Sequence, residues 1–256
     1  MKSRLVLLCL IALASARTHA EIDPSTASWV GQKVWHNECD GTVEGLVSWN
    51  AGEQFASLGI GHFIWYPAGQ KGPFEESFPT LITQLAAAGI AIPDWTRGPC
   101  PWNSRAEFMT AAGSARVREL RALLARTVPQ QTAALVARME AALPKLLAAA
   151  PSGDRTAIEA RFKALRGTRE GTFALIDYVN FKGEGTLASE RYQGQGWGLL
   201  QVLQGMRGNP NGAAATAEFA RAALEVLKQR VQNAPPARNE ARWLPGWSAR
   251  VRAYAG

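Results

Sequence analysis

Three short stretches near the N-terminus bring together side chains that could carry out acid–base chemistry: Asn37-Glu38-Cys39-Asp40-Gly41, Trp49-Asn50-Ala51-Gly52-Glu53 and Ser57-Leu58-Gly59-Ile60-Gly61-His62-Phe63. Glu38 falls at the expected end of a helix, Glu53 in a polar turn, and Ser57 and His62 on either side of a tight Gly-x-Gly segment. Cleavage of a glycosidic bond requires such parts. One carboxylic acid protonates the leaving oxygen, and a second group stabilises an oxocarbenium-like state or activates water. Taken singly, each residue has a plainer role. A helix-end glutamate usually caps or pairs, and a histidine beside Phe63 and Ile64 is usually a hydrogen-bonded core residue. Their grouping in so short a stretch is what marks them.

The Ser57-Leu58-Gly59-Ile60-Gly61-His62 stretch resembles the phage-type branch of the lysozyme superfamily. In that branch a helix-terminal glutamate precedes a small hairpin carrying an acid, a hydroxyl and a Gly-Ile-Gly-His strand. The resemblance implies a lysozyme-like fold with Glu38 as general acid, Ser57 as the hydroxyl that positions water and His62 as a structural neighbour of the acid. Glu53 is the nearest candidate for the second carboxylate. The implied substrate is peptidoglycan or a related amino-sugar polymer, and no cofactor is required. Trp49 and Asn50, in the turn before Glu53, are candidates for substrate contact.

A second polar and aromatic cluster lies far along the chain, from Asp177 through Asn180, Phe181 and Lys182 to Glu184, then Arg191-Tyr192 and Gly196-Trp197-Gly198-Leu199-Leu200-Gln201. On a helix, Asp177, Asn180 and Glu184 fall on one side at three- and four-residue spacing, as the lining of a cleft would. Asp177 is therefore the other candidate for the partner carboxylate. Gly198-Leu199-Leu200-Gln201 is also similar to the Gly-Leu-Met-Gln segment of lytic transglycosylases and goose-type lysozymes, which adds Trp197 and Gln201 to the candidate sugar contacts. The plainer reading of Asp177 and Glu184 is an ion pair with Lys182 or Arg191, and most of the tryptophans belong to a core.

The elements that must position these groups follow from composition. Residues 23–73 are rich in Trp, Gly and Asn and predict one helix, opened by Asp23-Pro24-Ser25, followed by a glycine-punctuated turn and a small β-hairpin. Residues 74–256 predict a helical body. Leu135, Met139 and Leu143, then Ile158, Phe162 and Leu165, recur at helical spacing. Breaks are expected at Gly89, Pro99-Cys100-Pro101, Pro129 and Pro151-Ser152-Gly153, with Pro144 ending or kinking a helix. A helix near Phe173 to Phe181 is followed by a Gly-rich stretch from Lys182 to Gly198. A long helix then carries Phe219, Ala223, Val226 and Leu227 on its inner face. An aromatic tail of Trp243, Trp247 and Tyr254 is expected to pack back on the body. The fold class expected is mainly α (α+β), in a single domain over 21–256.

The N-terminus carries Lys2 and Arg4, the apolar run Leu5 to Ala14 and Thr18-His19-Ala20, the plan of a cleavable export signal over residues 1–20. The expected location is therefore periplasmic or secreted. The apolar run is shorter than the ~20 residues of a membrane span, so no membrane anchor is expected. Loss of Lys2, Arg4 and Arg17 would lower the formal charge from +7 to +4, a mildly basic balance suited to an anionic wall polymer. The arginines are scattered and not interleaved with base-stacking aromatics, which excludes the common nucleic-acid modules. No Cys/His set has metal-ligand spacing, and no Gly-x-Ser-x-Gly elbow or phosphate-cradling loop is present. In an oxidising compartment Cys39 and Cys100 are expected to form a disulfide. Nothing in the sequence sets an oligomeric state. The alternative to a glycoside hydrolase is a non-catalytic envelope protein of the same fold that binds wall glycan or another protein.

Overall fold

Asp23 and Pro24 open the first helix as their residue types demand. The Asp23 carboxylate accepts the Thr26 backbone N–H at 2.9 Å, and Pro24 occupies the first turn, where its missing N–H costs nothing. This helix, α1 (Pro24–Cys39), ends at Asp40 in the left-handed conformation, so Glu38 and Cys39 sit in its last turn. The computed structural model describes residues 22–72 and 74–256. The expected export signal over residues 1–20 lies outside the described residues.

After α1 come three short strands, β1 (Val47–Ser48), β2 (Ala56–Leu58) and β3 (Phe63–Trp65), paired antiparallel in the order β1-β2-β3. The expected hairpin is thus a three-stranded sheet, with Ser57 opposite Ser48 on one side and Ile64 on the other. The body is helical. It comprises α2 (Phe78–Ala87), α3 (Arg105–Ala111), α4 (Ala115–Arg126), α5 (Val128–Ala149), α6 (Arg155–Arg166), α7 (Arg169–Lys182), α8 (Leu199–Gly205), α9 (Ala213–Asn233) and α10 (Leu244–Arg252). A two-stranded hairpin, β4 (Arg191–Tyr192) and β5 (Gln195–Gly196), interrupts the loop between α7 and α8. The protein is mainly α with a small β element near its N-terminus. Among the described residues no helix is long and apolar enough to cross a membrane.

The central element is α7, buried at every position from Gly171 to Val179 and packed against α1, α5, α6, α8 and α9. A helix enclosed on all sides places any polar residue it carries in the interior, and α7 carries Asp177. Apolar burial is continuous from Val30 in α1 to Tyr254 after α10. The tryptophans divide as core residues should. Trp65 is fully enclosed and meets Trp95, Trp102 and Phe78 around the sheet. The tail packs back through Trp247 and Tyr254, while Trp243 stays about half exposed.

Two expectations are corrected. Helix α5 does not end at Pro144 but runs through it to Ala149, with the flanking Ala142 and Leu146 buried. Cys39 and Cys100 are free thiols, both buried. The Cys39 Sγ is directed at the Gly59 carbonyl, 3.5 Å away, whereas Cys100 is held beside β3 by the bond from its N–H to the Tyr66 carbonyl and a bridge to Pro67. Each thiol is packed against its own neighbours, and burial pushes both up to about 12. A thiol kept protonated and covered is a poor nucleophile. Thiol titration of the native chain at pH 8 is therefore expected to leave Cys39 and Cys100 unreacted, and denaturation without reductant to release both. A blocked pair after denaturation would mean that the disulfide forms after all.

Candidate functional site

The Gly-Ile-Gly-His segment leaves β2 and is pressed against α5. Gly59 has a positive φ of 67°, and a Cβ there would stand 2.2 Å from Gln131 Oε1. That oxygen accepts the Ile60 N–H at 2.9 Å, while the Gln131 amide donates to the Leu124 carbonyl and the Thr127 hydroxyl. Only glycine fits between the chain and this buried amide. The turn leaves His62 itself at φ 47°, in a conformation that few side chains adopt. Its Nδ1 stands 3.3 Å from Glu38 Oε2. Glu38 and His62 therefore meet as the sequence reading requires.

The other Glu38 oxygen is held from two directions. Asn180 Nδ2 donates to Oε1 at 3.2 Å, and the Arg250 guanidinium pairs with the same atom. Arg250 also grips Asp177 through two bonds, Nε to Oδ2 at 2.8 Å and Nη2 to Oδ1 at 2.7 Å. Tyr254 donates to Asp177 Oδ2 at 2.5 Å, and Asn37 Nδ2 to Oδ1 at 3.3 Å. Phe181 lies under the guanidinium, 4.3 Å from its centroid. Burial alone would pull Arg250 down, but its bonds to Asp177 and the charges of Asp177 and Glu38 push it above the ordinary arginine value, so it stays a cation. Burial, and then the Asp177 charge, push the Tyr254 hydroxyl well up, so it remains a proton donor in the bond.

Asn37 lies at the exposed edge of this network and the His62 side chain is 30% exposed, whereas Glu38 is 9% exposed and Asp177 fully enclosed. Asp177 is thus a positioning group for Arg250 and does not face solvent as a cleft carboxylate would.

The second set of predicted residues forms a separate network in the β1–β2 turn. Glu53 Oε2 accepts from the Ser57 hydroxyl at 3.3 Å and from Asn50 Nδ2 at 3.1 Å. The Glu53 carbonyl accepts the Trp49 indole N–H at 2.9 Å, and Arg105 on α3 ties the Trp49 carbonyl in turn. Glu53 is half-buried, Asn50 exposed, and Ser57 buried with its hydroxyl turned to Glu53. A thiol joins the segments that carry the two networks. Cys39, next to Glu38, touches the Gly59 carbonyl at the end of the strand that carries Ser57.

Three predicted contacts lie elsewhere. Gly183 ends α7 with φ 83°, so the helical spacing that aligns Asp177 with Asn180 does not extend to Glu184. Glu184 pairs with Lys145 on α5 at 2.9 Å. Gln201 closes the Gly-rich loop, accepting the Gly198 N–H and donating to the Gly185 carbonyl. Trp197 is buried, its carbonyl accepting from Tyr178 and its ring tilted against that of Tyr192 with centroids 4.5 Å apart. These contacts hold the α7–α8 connection to α5, to α7 and to itself.

Arg250, which pairs with both Asp177 and Glu38, is the member of this network that the sequence reading missed. A signal for it exists. Trp247, Arg250 and Tyr254 fall at three- and four-residue spacing on one helical face, so an inward-packed aromatic pair brings an arginine inward with it, and that arginine needs a buried carboxylate. Gln131 was missed for a different reason, since nothing in an alanine-rich helix marks one glutamine as the partner of a distant turn. Among the described residues no group of three or more His, Cys, Asp or Glu side chains is arranged to hold a metal ion. No protein-family model, curated protein or solved structure matches the chain.

Removing one partner of a buried ion pair leaves the other uncompensated, at a cost of about 3–5 kcal/mol. Asp177→Ala is expected to lower the unfolding free energy by about that amount in urea titration at pH 7. Tyr254→Phe, which deletes one hydrogen bond to a charge, is expected to lower it by about 1.5–3 kcal/mol. Equal, near-zero effects for both would remove Asp177 from its role as the anchor of Arg250.

Proposed function

We propose that the protein is an exported glycoside hydrolase acting on peptidoglycan or a related amino-sugar polymer, with Glu38 as proton donor. The observation that carries this reading is the setting of the Glu38 carboxyl. Residues from α1, the Gly-Ile-Gly-His turn, α7 and α10 converge on it, beside the sheet that bears Ser57 and Glu53. In the reading, Glu38 gives its proton to the leaving glycosidic oxygen, and Arg250, kept cationic and held by Asp177, stabilises the carboxylate left behind. Glu53 is the partner carboxylate, because Asp177 is enclosed and fully occupied. The Ser57 hydroxyl and the Asn50 amide fix the orientation of Glu53.

One observation favours a second reading, a non-catalytic wall-binding protein of the same architecture. Both Glu38 oxygens already have protein partners and the side chain is 9% exposed. Release of soluble fragments from purified peptidoglycan separates the two. For a hydrolase, wild type releases fragments. Glu38→Gln, with an unchanged circular dichroism spectrum, loses about 10²–10⁴-fold, the range of a general acid's contribution. Sedimentation with the polymer and no release by wild type would overturn the hydrolase and leave the binder.

A further inference from the structure

The β4–β5 hairpin and the chain between α9 and α10 are tied into one surface. Tyr192 on β4 donates to Glu240 Oε1 at 2.9 Å, and Gln193 Nε2 donates to the Asn233 carbonyl at 3.4 Å. Arg238 stands close enough to Tyr192 for its charge to act on the hydroxyl. These contacts bring together three exposed arginines, Arg191 beside Tyr192, and Arg238 and Arg242 two residues on either side of Glu240.

The acids beside these arginines are already taken. Glu240 is buried and accepts two bonds from Arg230, at 2.7 and 2.8 Å, besides the bond from Tyr192. Glu190, half-buried, accepts the Leu187 N–H at 3.1 Å. Among the described residues no carboxylate pairs with Arg191, Arg238 or Arg242, whereas Arg221, Arg230 and Arg250 each hold one. The surface therefore presents positive charge that the protein itself does not neutralise. It also presents apolar side chains. Trp243, the most exposed of the nine tryptophans, is 51% exposed, and Leu187, at the turn that leads into β4, is 57% exposed. The Arg242 guanidinium lies 4.8 Å from the Trp243 ring centroid, so cation and indole are offered as a pair.

We propose that this surface docks the protein on an anionic phospholipid bilayer, with Arg191, Arg238 and Arg242 meeting lipid phosphates and Trp243 and Leu187 entering the headgroup layer. The chemistry of the two sides matches. Guanidinium forks bind phosphate oxygens in pairs, an indole settles at the boundary between water and hydrocarbon, and apolar burial adds to the attraction of the charges. A soluble polyanion would use the arginines and leave Trp243 and Leu187 in water. No residue of the Glu38 network takes part, so docking stands apart from the glycosidase reading.

The test is quenching of the full chain's tryptophan fluorescence by vesicles of brominated phosphatidylcholine, either alone or mixed equally with phosphatidylglycerol. Residues 1–20 contain no tryptophan, so quenching reads contact by the rest of the chain. The mixed vesicles are expected to quench wild type and the neutral ones not to, and Trp243→Phe is expected to lose most of that quenching. Each cation at an anionic surface strengthens binding about fivefold, so Arg238→Glu combined with Arg242→Glu is expected to raise the lipid concentration for half quenching by about tenfold or more. A charge-matched pair, Lys33→Glu with Arg138→Glu, exposed on α1 and α5, is expected to change it by less than about threefold, since distant charges are screened. No quenching by the mixed vesicles, undiminished quenching in Trp243→Phe, or an equal loss in the charge-matched pair overturns the proposal. Binding of polyphosphate that requires Arg238 and Arg242, with no quenching by either vesicle, overturns the bilayer in favour of a soluble polyanion.

Discussion

A carboxylate fully withdrawn from water on a helix enclosed on all sides must be answered where it stands, and in this protein the answer comes from the far end of the chain. Asp177 is satisfied by the Arg250 fork, the Tyr254 hydroxyl and the Asn37 amide. The desolvation cost of such a group is several kcal/mol and is offset only by well-placed partners. The position of α10 is therefore not free. Its register on α9 and α7 must bring Arg250 and Tyr254, one helical turn apart, to the same acid, and once it does, the Nη2 that donates to Asp177 also meets Glu38. The candidate acid is fixed by a contact whose stability derives from its neighbour.

A comparable constraint sets His62. Its placement against Glu38 depends on a turn with Gly59 and His62 both at positive φ, and that turn is held by one buried glutamine from α5. Gln131 satisfies itself on Leu124 and Thr127 while accepting from Ile60, so the loop is tied to the helical body with no polar atom of the amide left over. The sheet and the body thus meet through a hydrogen bond, and apolar packing of Gly61 on Leu135 completes the seam.

The parts of this arrangement that were legible in the sequence are those governed by local rules. The start of α1 followed from Asp23-Pro24 and the helical body from apolar spacing, whereas the meeting of Glu38 with His62 was expected only from the family resemblance of the Gly-x-Gly-His segment. What was not legible depended on partners distant in the chain. Arg250 contacts residues at separations of 73 and 212 positions, and no window of sequence shows that pairing. The disulfide expectation failed for the same reason, since compartment and cysteine number say nothing about which neighbours each thiol packs against. Glu184 was misplaced by a local detail, Gly183, which ends the helix whose spacing had been extended through it.

The long separations also bear on how the site comes into being. Glu38, His62, Asp177, Asn180 and Arg250 span most of the chain, and contacts of high sequence separation carry the loop-closure entropy of the chain between them. Without α10 in place, α7 would carry an uncompensated acid in the core and Glu38 would lack its cation. The same helix brings Trp247 over Lys182. The packing of α10 thus closes the interior charge balance and completes the surroundings of Glu38. A single physical requirement, the burial of Asp177 with its partners, couples the stability of the fold to the assembly of its candidate chemistry.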